Sequence, residues 1–284
     1  MATPHRTMAV WQTTRFDIDL ARPRIMGIVN VTPDSFSDGG QHFDAMAAAR
    51  QCEQLIKDGA DILDIGGESS RPGAATLTAE EEWDRIAEVV KAAVAMGVPV
   101  SVDTCKTDVM RKALDAGADI INDIRALEVP GAVDIVSAHG QCGVCLMHMQ
   151  GDPATMQQRP TYPDVLAEVR GYLSARLDVL TSAGVAPERI SLDPGIGFGK
   201  TPEHNIQLLQ RQTELLQLGR PLLVGWSRKS TLGHITGKAT QDRLVASVAA
   251  ALACVTKGAR VIRVHDVAAT ADALKVWMAA QLVT

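Results

Sequence analysis

The sequence predicts an α/β protein: a single (β/α)8 barrel of the TIM type with a short N-terminal strand pair, residues 1–284 forming one domain. Three observations carry this. Short apolar runs alternate with helical stretches eight times, with no linker-like segment between them. The runs are continuous rather than alternating, as in strands buried on both faces of a parallel sheet. Nearly every run also ends in a polar residue. The rival, an open doubly wound sheet, concentrates such residues at one switch point and carries a G-x-G-x-x-G fingerprint in its first strand–helix loop, which is absent here.

The elements follow in order. Residues Met8 to Asp19 form the strand pair, plugging or flanking the domain. Arg24 to Asn30 is the first barrel strand, followed by a polar loop of turn formers from Val31 to Gly40. A helix runs from about Asp44, its N-cap, to Lys57, and Gly59 stops it. Asp61 to Gly67 is the second strand, leading into Glu68 to Gly73. Thr78-Ala79-Glu80-Glu81 then opens a helix with a capping box. Val98 to Thr104, Asp119 to Asp123 and Gly143 to Met149 are the next strands, with helices at Asp108 to Ala116 and Val133 to Ala138. A long helix spans Pro163 to Ala183. The sixth strand, Ile190 to Asp193, precedes a helix from Pro202 to Leu218. Pro221 to Trp226 is the seventh strand, then a connection of roughly a dozen residues and a helix from Gln241 to Lys257. Ala259 to Val264 and a helix from Ala268 to Gln281 complete the set.

Composition narrows the function. With 46% hydrophobic and 21% charged residues the chain is an ordinary soluble protein, and its net charge of −5 gives no support for nucleic-acid or membrane-surface binding. Residues Met1 to Asp19 lack a signal-peptide core, and the longest apolar stretch, around Ala246 to Val255, is too short to span a bilayer, so a cytoplasmic location is expected. Five irregularly spaced cysteines argue against a disulfide framework. Cys142-x-x-Cys145 followed by His148 has metal-like spacing, but on a strand the two thiols point to opposite faces, which favours small core residues.

In a barrel the C-terminal strand ends converge on one mouth, where such enzymes place their chemistry. Here they bring together Asn30, Ser70, Arg71, Asp103, Asn122, Met147, Asp193, Ser227, Lys229, Arg263 and His265. Asp193 opens Asp193-Pro194-Gly195-Ile196-Gly197-Phe198-Gly199-Lys200, whose glycines permit positive φ and close backbone approach. Each residue alone has a plain structural explanation: Asn122 and Asp123 as turn residues, Asp103 as a helix cap, Arg263 as a partner for Asp266. Together, two carboxylates, an amide and a lysine suit a flat heterocycle with NH, NH2 and carbonyl edges. Arg71, Arg228, Lys229, Arg263 and His265 concentrate positive charge suited to an anionic substrate such as a phosphate ester.

The segments Gly27–Gly40, Asp64–Gly73, Ser101–Thr104, Ile121–Ile124, Leu146–Gly151, Leu192–Gly195, Ser227–Ser230 and Arg263–Val267 resemble, in order, the motifs of the dihydropteroate synthase family, from about Met26 to Val267. The resemblance implies a transferase joining 6-hydroxymethyl-7,8-dihydropterin pyrophosphate to p-aminobenzoate with Mg²⁺, usually as a homodimer. By the same resemblance Asp103, Asn122, Asp193 and Lys229 would hold the pterin edge, with Met147, Phe198 and Gly225 among the substrate contacts. Arg263 would lie along the pterin face and, with His265, Asn30 and Ser70, hold the pyrophosphate, with Arg71 a further substrate-binding candidate. Asn30 would ligate Mg²⁺. Ser227 would take the p-aminobenzoate carboxylate, with Phe36 and Pro72 walling its ring. Asn30, Lys229, Arg263 and His265 are the catalytic candidates. The chain departs from the family in Ser70, where Thr is usual, and in Trp226, where a smaller side chain is common. With no insertion beside Phe36, inhibition by sulfonamides is expected. A corrinoid-dependent methyltransferase would share the pterin-holding residues but would not need Arg263-Val264-His265. A non-catalytic relative would have lost phosphate or loop residues that are present here.

Overall fold

A computed structural model describes residues 10–32, 41–69, 76–152, 155–158 and 160–281. Two short strands, β1 (Val10–Gln12) and β2 (Asp17–Asp19), form an antiparallel pair. Eight parallel strands follow: β3 (Arg24–Asn30), β4 (Ile62–Gly66), β5 (Val100–Asp103), β6 (Ile120–Asp123), β7 (Gly143–Met147), β8 (Ile190–Asp193), β9 (Leu223–Val224) and β10 (Val261–Val264). They pair in the order β8-β7-β6-β5-β4-β3-β10-β9. A bridge between Leu192 and Leu222 brings β8 against the chain entering β9, so the sheet curls into the expected barrel.

Side-chain alternation divides the strands into two apolar sets. Met26, Ile62, Ile120, Cys145, Leu223 and Val261 cluster with Trp11, Ile18 and Leu20 of the strand pair. Val29, Ile65, Val102, Ile121, Leu146, Leu192, Val224 and Ile262, on the opposite parity, pack with the surrounding helices. The strand pair thus plugs the barrel bottom rather than flanking the domain. Trp11 is fully buried there, and its indole Nε1 donates to Arg189 O at 2.9 Å. Arg15 ties the pair to the barrel through three bonds to Asp119, from its amide at 3.1 Å and its guanidinium at 2.9 and 2.6 Å, and Asp119 also accepts from the Val100 amide. Truncating a buried tryptophan typically costs about 3–5 kcal/mol, so the plug contributes substantially to stability.

The helices are α1 (Gln41–Lys57), α2 (Ala79–Ala95), α3 (Thr107–Asp115), α4 (Ala132–His139), α5 (Val165–Ser182), α6 (Pro202–Gln210), α7 (Ser230–Thr236), α8 (Leu244–Thr256) and α9 (Val267–Gln281). Thr78 and Glu81 make both bonds of the capping box that opens α2. Several expected boundaries move. Helix α1 starts at Gln41, so Asp44 lies inside it. The run expected as one helix from Pro202 to Leu218 breaks at Arg211, which pairs with Asp164 and Glu214, and continues as a 3-10 helix over Gln212–Leu218. The connection after the seventh strand contains α7. Strand β7 stops at Met147.

Cys142 and Cys145 fall in the two different apolar clusters, one outside and one inside the barrel, and Cys142 receives a contact from Arg189. Trp226 shares the parity of Leu222 and Val224 and faces the outer helices rather than the mouth. Among the described residues no helix is long and apolar enough to cross a membrane.

Candidate active site

At the open end, Asn30, Gly66, Asp103 and Asn122 share one register row across β3 to β6. Gly66 leaves room there, since a Cβ would come within 3.5 Å of Asp103 Cβ. Arg263 reaches into the same space from β10. Its Nε donates to Asp64 Oδ2 at 2.6 Å and its Nη2 to Asp103 Oδ2 at 2.7 Å. Asn122 Nδ2 lies 3.4 and 3.3 Å from the two Asp64 oxygens. Asp64 is wholly buried, whereas Arg263 and Asp103 each keep about a quarter of their side chains exposed (23% and 24%).

Burial raises the Asp103 carboxyl to about 7; Arg263 opposes the shift, while Asp64 adds to it. Burial on its own would lower the Arg263 guanidinium, but Asp64 and Asp103 outweigh it and hold the cation firmly charged. The plain alternative for Arg263, a surface pairing with Asp266, does not occur; Asp266 pairs with Arg228 instead. Asp123 faces away from the mouth and caps a turn, accepting from the Arg125 and Leu127 amides at 2.8 and 2.9 Å.

Asp193 ends β8 beside Met147, its register partner on β7. It is 6% exposed and accepts from the Gly195 amide at 2.7 Å. Burial raises its carboxyl to about 6, against the pull of that bond and of Lys229, Arg263 and Lys200. The glycine loop that follows lies flat on the end of β7. Gly195 and Gly199 take positive φ, and a Cβ at either would collide with His148 O or Gln150 O. Lys200 is buried beneath this loop, donating to His148 Nδ1 at 2.9 Å, Gly195 O at 2.9 Å and Phe198 O at 3.0 Å. An ammonium only donates, so Nδ1 of His148 is the unprotonated ring nitrogen. Burial and Lys200 accordingly depress the His148 pKa to about 3. The loop presents Phe198 to the mouth, where Lys229 Nζ lies 4.0 Å above the ring centroid.

The third wall is the turn after β9. Ser227 is buried, with Oγ 3.0 Å from His265 Nδ1, and it accepts from the His265 amide at 3.2 Å. Arg228 holds φ at 60°, a strained value for a non-glycine residue, which points its neighbours Ser227 and Lys229 as they are found. The strain is restrained from both sides. The Arg228 side chain pairs with Asp266 at 3.1 and 2.6 Å, and Arg243 Nη1 donates to Arg228 O at 3.0 Å. Arg228 therefore locks the turn to the end of β10, and its charge is already matched. Lys229 occupies the N-cap position of α7 without a side-chain capping bond. Gly225 leaves the wall open beside Arg263, whose Cβ is 3.9 Å from where a Gly225 Cβ would stand.

The structure thus brings together Asn30, Asp103, Asn122, Met147, Asp193, Phe198, Gly225, Ser227, Lys229, Arg263 and His265 at one end of the barrel. Phe36, Ser70, Arg71 and Pro72 lie outside the described residues. Two buried charges were not expected at the site: Asp64, beneath Arg263, and Lys200, beneath the glycine loop. Among the described residues no group of three or more His, Cys, Asp or Glu side chains could hold a metal ion.

A mouth lined by carboxylates and an amide, with a fixed guanidinium and an adjacent histidine, defines a barrel enzyme for a flat, polar-edged heterocycle carrying an anionic group. The family described as pterin binding enzyme matches residues 26–265. Dihydropteroate synthase of Neisseria meningitidis serogroup B is 55% identical over 276 residues, covering 95% of this chain and 97% of its own. Among solved structures, Xanthomonas albilineans dihydropteroate synthase with 4-aminobenzoic acid superposes with a TM-score of 0.89 at 49% identity, covering 94% of this chain and 96% of that one. The Yersinia pestis enzyme in a sulfonamide drug complex gives 0.91 at 43%, covering 96% and 100%. The chain belongs to the dihydropteroate synthase family of pterin-binding enzymes.

Proposed function

We propose that the chain condenses 6-hydroxymethyl-7,8-dihydropterin pyrophosphate with p-aminobenzoate, giving 7,8-dihydropteroate and pyrophosphate. The observation that carries this reading is Arg263, a guanidinium held between two carboxylates at the barrel floor and open toward the mouth. Asp103, Asn122 and Asp193 receive the donor edge of the pterin, and Lys229 supplies a donor for its acceptors. When the pterin engages Asp103, Nη2 of Arg263 is released from its partner and turns to the pyrophosphate, while Nε stays on Asp64.

The C–O bond at the pterin methylene breaks and its electron pair leaves on the pyrophosphate oxygen. The pterin ring spreads the positive charge left on carbon. Arg263 and His265 face the developing anion, and stabilising charge where it appears is usually the largest contribution of such a site. Ser227 Oγ, 3.0 Å from His265 Nδ1, fixes the orientation of the imidazole beside the leaving group. The arylamine nitrogen then forms the new C–N bond and loses a proton to water or pyrophosphate. It needs positioning more than a strong base. Ser227 and the backbone entering α7 hold its carboxylate. The family motifs alone assign Phe36 and Pro72 to the arylamine ring and Ser70 to the pyrophosphate; the second site is taken to be complete only once the pterin is bound, so binding is ordered.

Asn30 fits a Mg²⁺ ligand. Its carboxamide belongs to the last residue of β3, in register with Gly66 and Asp103 at the mouth, and a hard cation that also takes substrate oxygens and waters needs few protein oxygens. Bound there, Mg²⁺ would neutralise charge on the departing pyrophosphate. A homodimer belongs to the same reading, supported by Leu244, Val245 and Val276, which are 42%, 74% and 72% exposed on α8 and α9. The test is product formation from the two substrates with and without Mg²⁺, read by mass detection of dihydropteroate. Mg²⁺-dependent product is expected; pterin pyrophosphate that binds without turnover would overturn the synthase reading.

A further inference from the structure

We infer that Asp64 is a positioning residue that sets the orientation of both Asn122 and Arg263 toward the pterin. This rests on the proposed function, since it concerns how that site is held. Asp64 lies on β4 one inward step below Gly66, fully buried and out of reach of a substrate at the mouth. Its two oxygens hold residues from opposite sides of the barrel: Arg263 Nε on β10 and Asn122 Nδ2 on β6.

The consequence for Asn122 is chemical. An amide oxygen turned toward Asp64 would face two carboxylate oxygens, so the NH2 must point inward and Oδ1 outward. The mouth therefore presents three acceptors, on Asp103, Asn122 and Asp193, to a heterocycle edge rich in N–H. A flipped Asn122 would set a donor against a donor and leave buried polar groups unpaired. For Arg263 the consequence is permanence. Asp103 is the partner a ligand can replace, whereas Asp64 keeps the guanidinium anchored as Nη2 changes partner.

The experiment is a double-mutant cycle. Asp64→Asn, Asn122→Ala and the double variant are compared by equilibrium binding of 6-hydroxymethyl-7,8-dihydropterin and by KM for p-aminobenzoate. Asp64→Asn should weaken dihydropterin binding about tenfold while leaving the p-aminobenzoate KM within about twofold. In the Asn122→Ala background it should weaken binding less than about threefold, because no amide remains to be oriented and only the part carried through Arg263 is left. Equal weakening in both backgrounds, unchanged dihydropterin affinity, or a parallel loss for p-aminobenzoate would overturn the inference. Asp64→Ser, smaller and still an acceptor, replaces Asp64→Asn in the same cycle if the latter does not fold. Failure of the unaltered chain to bind dihydropterin would instead refute the functional reading itself.

Discussion

Replacing Asp193 by Asn separates stability from binding. The carboxyl is 6% exposed and raised from 3.8 to about 6, mainly by burial. A raised acid pKa means that the folded state holds the proton more tightly than the unfolded chain. The group's favourable contribution is therefore complete below pH 3.8 and is lost as the pH rises through 6. At neutral pH keeping the buried side chain ionised costs the fold on the order of 3 kcal/mol. Asparagine is neutral and its Oδ1 can still accept from the Gly195 amide, so it removes most of that cost. For a domain of this size about 2–4 °C accompanies each kcal/mol. The variant should thus melt several degrees higher at pH 7.5, with the difference shrinking toward pH 4. Dihydropterin affinity should meanwhile fall about 10- to 100-fold, because a charge-assisted pair becomes a neutral one. Thermal denaturation across pH, paired with dihydropterin titration, reads both effects. A variant less stable at pH 7.5, or a stability gap that does not change with pH, would refute the reasoning.

Other expectations are more direct. Arg263→Ala should abolish turnover and, by leaving Asp64 buried without its cation, lower stability by about 3–5 kcal/mol; single-turnover assays and denaturant melts would show both. Asn30→Ala should raise the Mg²⁺ concentration needed for half-maximal rate while leaving dihydropterin binding unaltered, as a Mg²⁺ titration would reveal. A sulfonamide should compete with p-aminobenzoate, its inhibition relieved by excess p-aminobenzoate; turnover indifferent to a large excess of the drug would contradict the placement of the second site. Val245→Asp, in the exposed apolar first turn of α8, should convert the proposed dimer to monomer in sedimentation velocity.

The barrel was legible because its strands are short, apolar and end in polar residues, and none of those signals depends on distant parts of the chain. Asp103, Asn122 and Asp193 followed from the same pattern. Asp64 did not, since it sits inside an apolar strand and its partner Arg263 lies 199 residues away. Parity offered a signal: Asp64 shares the inward face of Ile62 and Gly66, and a lone carboxylate there requires a cation from elsewhere. Parity also settles Trp226, which alternates with Leu222 and Val224 toward the helices. Helix α7 carries Gly233, Thr231, Ile235 and Thr236, all weak helix formers, and is held by tertiary contacts: Thr231 is buried, with Oγ1 accepting from Asn205 Nδ2 at 2.9 Å. Lys200 was missed because a lysine after a glycine loop reads as solvated. Only the folded loop reveals four acceptors around its ammonium.

The plug of Trp11, Ile18 and Leu20 has a bearing on traffic as well as on stability. A tube stopped at one end behaves as a stack: what enters first sits deepest and leaves last. Under the proposed reaction the pterin must descend before the arylamine can cover it, and the product can withdraw only along the path by which both arrived. Pyrophosphate, near the rim beside His265, has a shorter way out. Inhibition patterns should carry that geometry, with a molecule occupying the upper position trapping whatever lies on the floor beneath it.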